Sequence, residues 1–197
     1  MNKRGFTLME IMIVLAIMSG LLVLGVRGFQ NPGTNIRNVV RNLTVVIKEV
    51  RTQARLKGRT HRIVFNMGKT PKDIHTYSVE SAEGQVLALT EKTLEEQANL
   101  SEDERPANPF QPNDRVLKKP KELPGKIYFG GIETSARPTS ADKGVAYIYF
   151  SPEGLVEQSV IQITNRDKLT WSLIINPLTG QTDIVEKAIS LKDLIKQ

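Results

Sequence analysis

No cysteine occurs among the 197 residues, which removes disulfide staples, thiolate nucleophiles and cysteine metal sites. That absence is compatible with a periplasmic domain that leaves the oxidising environment unused. Histidine is nearly missing too. His61 and His75 have no companion at ligand spacing, so no metal is expected. His61 lies among basic residues in a strand-like stretch and reads as a surface imidazole. There is no phosphate-binding loop, Gly130-Gly131 being an isolated pair, and no serine sits in a G-x-S-x-G setting. With no catalytic signature in view, the chain is expected to be no enzyme and to need no cofactor.

Long apolar runs are confined to one place. From Phe6 to Val26 the residues are apolar or small except for Glu10, Thr7 and Ser19, with Lys3 and Arg4 upstream and Arg27 downstream. As a helix, about 20 residues rising about 1.5 Å each cover about 30 Å, the thickness of a hydrocarbon core. A cleaved secretory signal would end in a small-residue site, whereas Arg27-Gly28-Phe29-Gln30 follows here. A surface helix of a soluble domain would not be apolar on every face. Lys3 and Arg4 set the start on the cytoplasmic side and the remainder in the periplasm, a margin that Arg27 narrows.

Glu10 is the informative residue in that run. A carboxylate inside a membrane segment costs about 2.5–3.5 kcal/mol, which a plain anchor gives no reason to spend. Arg4 is six positions away, outside i, i+3 or i, i+4 reach, so the compensating charge is expected from elsewhere.

Lys3-Arg4-Gly5-Phe6-Thr7-Leu8-Met9-Glu10, followed by the apolar run, resembles the class III signal of type IV prepilins and type II secretion pseudopilins. The resemblance implies that a prepilin peptidase cuts after Gly5 and that the new amino terminus, Phe6, is methylated. It also implies that Glu10 pairs with the N-terminal amine of a neighbouring subunit during filament assembly. Cutting there removes Lys3 and Arg4 and creates an α-amine at the membrane edge, a charge complementary to Glu10. An amine supplied by a staggered neighbour rewards assembly specifically.

The remaining length holds one globular head with room for a core. The expected division is a leader over 1–5, an anchor and filament-core helix over 6–29, and a periplasmic head over 34–197. The net charge of +6 is unevenly placed. Eight basic residues from Arg37 to Arg62 are opposed only by Glu49, while Glu91 to Glu104 holds six acidic residues against Lys92. Such zones are either solvated faces or surfaces that dock successive subunits or steer a nucleic acid.

Gln30-Asn31-Pro32-Gly33 predicts an interruption and a flexible joint, with Thr34 or Asn35 capping a second helix. Apolar residues from Ile36 to Ala54 then recur three and four apart, the stripe of an amphipathic helix that Gly58 ends. Strands are expected at Arg59–Met67, Thr76–Glu80, Gln85–Thr90, Lys126–Phe129, Val145–Ser151, Val156–Thr164, Leu169–Asn176 and Thr182–Val185. Tight turns between successive strands favour antiparallel pairing. Trp171 is expected in the core. Glu91 to Leu123, acidic and then proline-rich, reads as a surface excursion, partly mobile. The fold class is therefore α+β: a long N-terminal helix, half anchor and half amphipathic, packed on an antiparallel sheet.

Gln53-Ala54-Arg55-Leu56-Lys57-Gly58-Arg59, Phe150-Ser151-Pro152-Glu153-Gly154 and Ile175-Asn176-Pro177-Leu178-Thr179-Gly180 resemble the head of H-type minor pseudopilins and T-type minor pilins. Major pseudopilins carry an earlier proline and an acidic calcium loop near the C-terminus, neither of which is visible here. The resemblance implies a minor structural subunit of a type II secretion pseudopilus, anchored in inner-membrane lipid and assembling with major and minor pseudopilins. The alternative it leaves open is a minor type IV pilin aiding pilus assembly or DNA uptake. The basic residues favour DNA as a partner weakly, because Arg37 to Arg55 share their helix with the core stripe.

Overall fold

The computed structural model describes residues 8–28, 32–68, 73–86, 108–137, 140–165 and 169–195. The chain divides into two units, Met1–Thr34 and Asn35–Gln197.

The first unit contains helix α1, Leu8–Gly28. Its described side chains run from Leu8 to Ser19 and all are exposed. Ser19 Oγ donates to the Leu15 carbonyl at 2.7 Å, so the helix absorbs the polarity of this hydroxyl itself. Among the described residues no helix is long and apolar enough to cross a membrane.

Helix α2 runs Pro32–Lys57. Pro32 and Gly33 therefore open this helix, where an interruption and a cap at Thr34 or Asn35 were expected. Proline is tolerated in a first turn because the amide it lacks has no intrahelical partner there. Residues 29–31, which the expected interruption includes, lie outside the described residues.

In the second unit the α2 stripe behaves as its spacing demands. Ile36, Val40, Leu43, Ile47, Val50 and Ala54 are all fully buried. Each large aliphatic side chain so buried contributes roughly 1.5–3 kcal/mol, so packing, more than propensity, holds this helix. Gly58 ends it: its φ of 60° turns the chain back, and the Arg59 amide donates to the Ala54 carbonyl at 3.2 Å, a Schellman closure.

The head has two antiparallel sheets, where a single one was expected. The first comprises β1 (Thr60–Asn66), β2 (Thr76–Ala82), β3 (Gln111–Pro112), β4 (Lys121–Glu122) and β6 (Val145–Phe150). Its order is β3-β2-β1-β6, with β4 also paired to β2. The second comprises β5 (Ile127–Thr134), β7 (Ser159–Asn165), β8 (Thr170–Ile175) and β9 (Thr182–Val185), in the order β5-β7-β8-β9. A short helix, α3 (Leu191–Ile195), follows.

Register puts one face of each sheet inward. Ile63 and Phe65 stand opposite Val79 and Tyr77 on one side and Ile148 and Ala146 on the other. In the second sheet Ile161 and Ile163 stand opposite Leu173 and Trp171. These residues and the α2 stripe form one hydrophobic cluster, with Trp171 inside it as expected. The successive-strand pattern holds for β1–β2 and β7–β8–β9 but fails at β6, which leaves its sequence neighbour β5 to pair with β1.

The excursion is partly built into the fold. Gln111–Pro112 and Lys121–Glu122 pair with β2, and Phe110 and Leu123 are buried, so 108–123 covers an edge of the first sheet. Of the expected strand Gln85–Thr90, residues 85–86 carry no strand and the rest lies outside the described residues. The acidic stretch Glu91 to Glu104 also lies outside them.

Candidate functional site

Lys3, Arg4, Gly5 and Phe6 lie outside the described residues. Glu10 is in the first turn of α1 and exposed. It is not without an interaction of its own in this chain. Its neighbours are apolar and uncovered: Leu8 is 80% exposed and Met12 64%. An apolar helix surface of that extent is normal only against lipid or other helices.

Six of the eight basic residues from Arg37 to Arg62 are exposed, yet several of the eight make specific contacts. The Arg37 guanidinium lies 5.8 Å from the Trp171 ring centroid. Arg51 Nε donates to the Gly154 carbonyl at 2.7 Å, and its terminal nitrogen to the Leu178 carbonyl at 3.1 Å. Arg59 pairs with Glu83 at 2.9 Å, both exposed. Arg62 is 6% exposed and bridges Glu80 at 2.6 Å. Its guanidinium stacks 3.9 Å from Phe110 and 4.3 Å from Tyr147. Arg41, Lys48, Arg55 and Lys57 remain exposed.

Arg51 and Arg55 explain why two turns contain glycine. A Cβ at Gly180 would overlap Arg51 Cδ, and one at Gly154 would overlap the Arg55 stem. The β6–β7 and β8–β9 turns are thus docked on the last third of α2. Thr182 Oγ1 and Thr44 Oγ1, 3.2 Å apart, add a further tie. Spacing on α2 could not reveal these roles, because the carbonyls that receive Arg51 lie 103 and 127 residues away.

Both histidines are interior. His61, expected at the surface, is 1% exposed: β1 is flanked by β2 and β6, and Nδ1 lies 3.0 Å from the Arg59 carbonyl. Burial lowers its pKa from 6.5. His75 Nδ1 accepts the Phe129 amide at 3.1 Å, which fixes the neutral tautomer with its proton on Nε2. Burial lowers its pKa too, against a smaller opposing effect of Asp73. Burial therefore favours the neutral form of both imidazoles.

Glu133 is another interior polar group that sequence reading missed. Its carboxylate accepts from Ser190 Oγ at 2.8 Å and from the Leu191 amide at 2.7 Å, fastening α3 to the second sheet.

The chain matches no curated protein and no solved structure. Residues 1–25 match the prokaryotic N-terminal methylation motif, a prepilin-like signal, and so support a family of pilins or pseudopilins.

Proposed function

We propose that this chain is a minor structural subunit of the pseudopilus of a type II secretion system, helping export across the outer membrane. The observation that carries the reading is the methylation motif over residues 1–25. Prepilin peptidase cuts after Gly5 and Phe6 is methylated. Residues 6–29 anchor the protein in the inner membrane and later serve as filament core, with Glu10 pairing to a neighbour's amine. The head faces the periplasm, and the partners are the major and minor pseudopilins. No catalytic step, cofactor or metal belongs to this function. The H-type assignment is supported by the Gln53–Arg59, Phe150–Gly154 and Ile175–Gly180 sequences, and the late position of Pro32 supports a minor subunit.

The test is mass spectrometry of the N-terminus of protein recovered from cells with a working prepilin peptidase. A mature start at methylated Phe6 is expected. Retention of Met1 to Gly5 overturns the reading.

A second reading, a minor type IV pilin that contacts DNA, is favoured by the exposed Arg41, Lys48, Arg55 and Lys57. Retention on DNA that falls steeply with salt supports it, and no retention at low salt removes it.

A further inference from the structure

An open groove of about 480 Å³ lies at the C-terminal end of α2. Three cations from three separate segments converge on it: Lys57 from the last turn of α2, Arg59 at the entry to β1, and Arg115 from the connection between β3 and β4. All three are exposed. We infer that this groove is a docking site for a carboxylate-rich peptide segment of a partner protein.

The walls are fixed before any ligand arrives. The α2 end is closed by the Arg59-to-Ala54 hydrogen bond. The loop bearing Arg115 is held by Asn113, whose amide donates to the Val79 carbonyl at 2.8 Å and whose Oδ1 accepts the Arg115 amide at 3.1 Å. Ser81, paired to Gln111, supplies a hydroxyl, and Gln53 and Asn113 supply amide groups suited to a peptide backbone. The Arg59–Glu83 pair is solvent-exposed and weak, so Arg59 can exchange one carboxylate for another at little cost.

The chemistry favours a peptide over a nucleic acid. No Phe, Tyr or Trp is among the described lining residues, and the one ring there, His61, is 1% exposed, so bases would find little to stack on. Asp114 on the lining and Glu83 beside Arg59 set negative charge among the cations, which disfavours a chain charged at every unit. Side chains along an extended peptide can step around them, successive residues pointing to opposite sides. The inference rests on the groove and is independent of pseudopilus assembly.

The test is fluorescence anisotropy of the full chain in nonionic detergent against a labelled peptide of alternating Glu and Ser. Saturable, salt-sensitive binding is expected, weakened about tenfold by Lys57→Gln with Arg115→Gln. It should be unchanged by Arg41→Gln with Lys48→Gln, which lie elsewhere on α2. Should the first pair lower thermal stability, Arg115→Gln alone is read in its place, with about a threefold loss expected. The inference is overturned by absence of saturable binding, by equal binding of a Gln-and-Ser peptide, by a groove variant of full affinity, or by tighter binding of oligothymidylate.

Discussion

Replacing Gly180 by alanine tests how the head grips α2. The backbone there has a φ of 64°, and an L side chain in that region costs about 1 kcal/mol. The added Cβ also overlaps Arg51 Cδ, so the guanidinium must leave the Gly154 and Leu178 carbonyls. Arg51 is half-buried and its bond to Leu178 is exposed, so the two hydrogen bonds are worth roughly 1 kcal/mol each, the figure for an ordinary bond. The expected loss is therefore about 3 kcal/mol. In a domain of this size that corresponds to a fall of about 6–12 °C in Tm. Urea unfolding of the full chain in detergent can be followed through Trp171, the only tryptophan and 6% exposed. A double-mutant cycle supplies the discrimination. Arg51→Ala alone should cost about 2 kcal/mol. With Arg51 already gone, Gly180→Ala should add only the backbone cost of about 1 kcal/mol. Simple addition of the two single losses would refute the close-approach explanation and leave the glycine unexplained by Arg51.

Replacing Glu10 by leucine should preserve or improve membrane insertion while reducing incorporation beside other subunits; undiminished co-purification with them would count against the amine pairing. Arg62→Leu should destabilise by about 2–3 kcal/mol, because it strands Glu80, whose side chain is only 22% exposed, beside the vacated aromatic sandwich. A urea midpoint within error of the parent would sink that reading. His75 and His61 both have folded pKa values below 6.5, so the unfolded chain binds protons more readily. Stability should therefore hold above about pH 6.5 and decline as pH falls through that value towards the lower folded ones. A midpoint that does not move between about pH 8 and about pH 5, with His75→Phe behaving like the parent, would contradict it.

What could be read in advance was what is written locally. The α2 stripe follows from residues three and four apart, the helix stop from Gly58, and β9 falls on Thr182–Val185 as expected. The methylation motif is equally legible, since a peptidase reads a short continuous peptide. Alternation within a strand tells which side chains share a face but not which strand lies alongside. That is why the return of β6 to β1, and with it the division into two sheets, escaped notice. His61 was misplaced for a different reason: it alternates with Ile63 and Phe65 and shares their inward face, near the end of α2. Arginine adds its own ambiguity, because its long stem lets one residue serve a surface, a turn carbonyl or an aromatic sandwich. The groove draws on α2, β1, β2 and the β3–β4 connection, a juxtaposition that only folding creates.

The two turns that meet Arg51 and Arg55 do more than hold α2 down. A smooth aliphatic stripe would let a cylinder roll several degrees in its bed, but a guanidinium seated on carbonyls of two different turns blocks rotation about the long axis. The outward row containing Arg41, Val45 and Lys48 is thereby clocked against both sheets. Any neighbour that recognises this row also inherits a fixed azimuth for everything the sheets present, so angular order can pass from one molecule to the next without a dedicated joint.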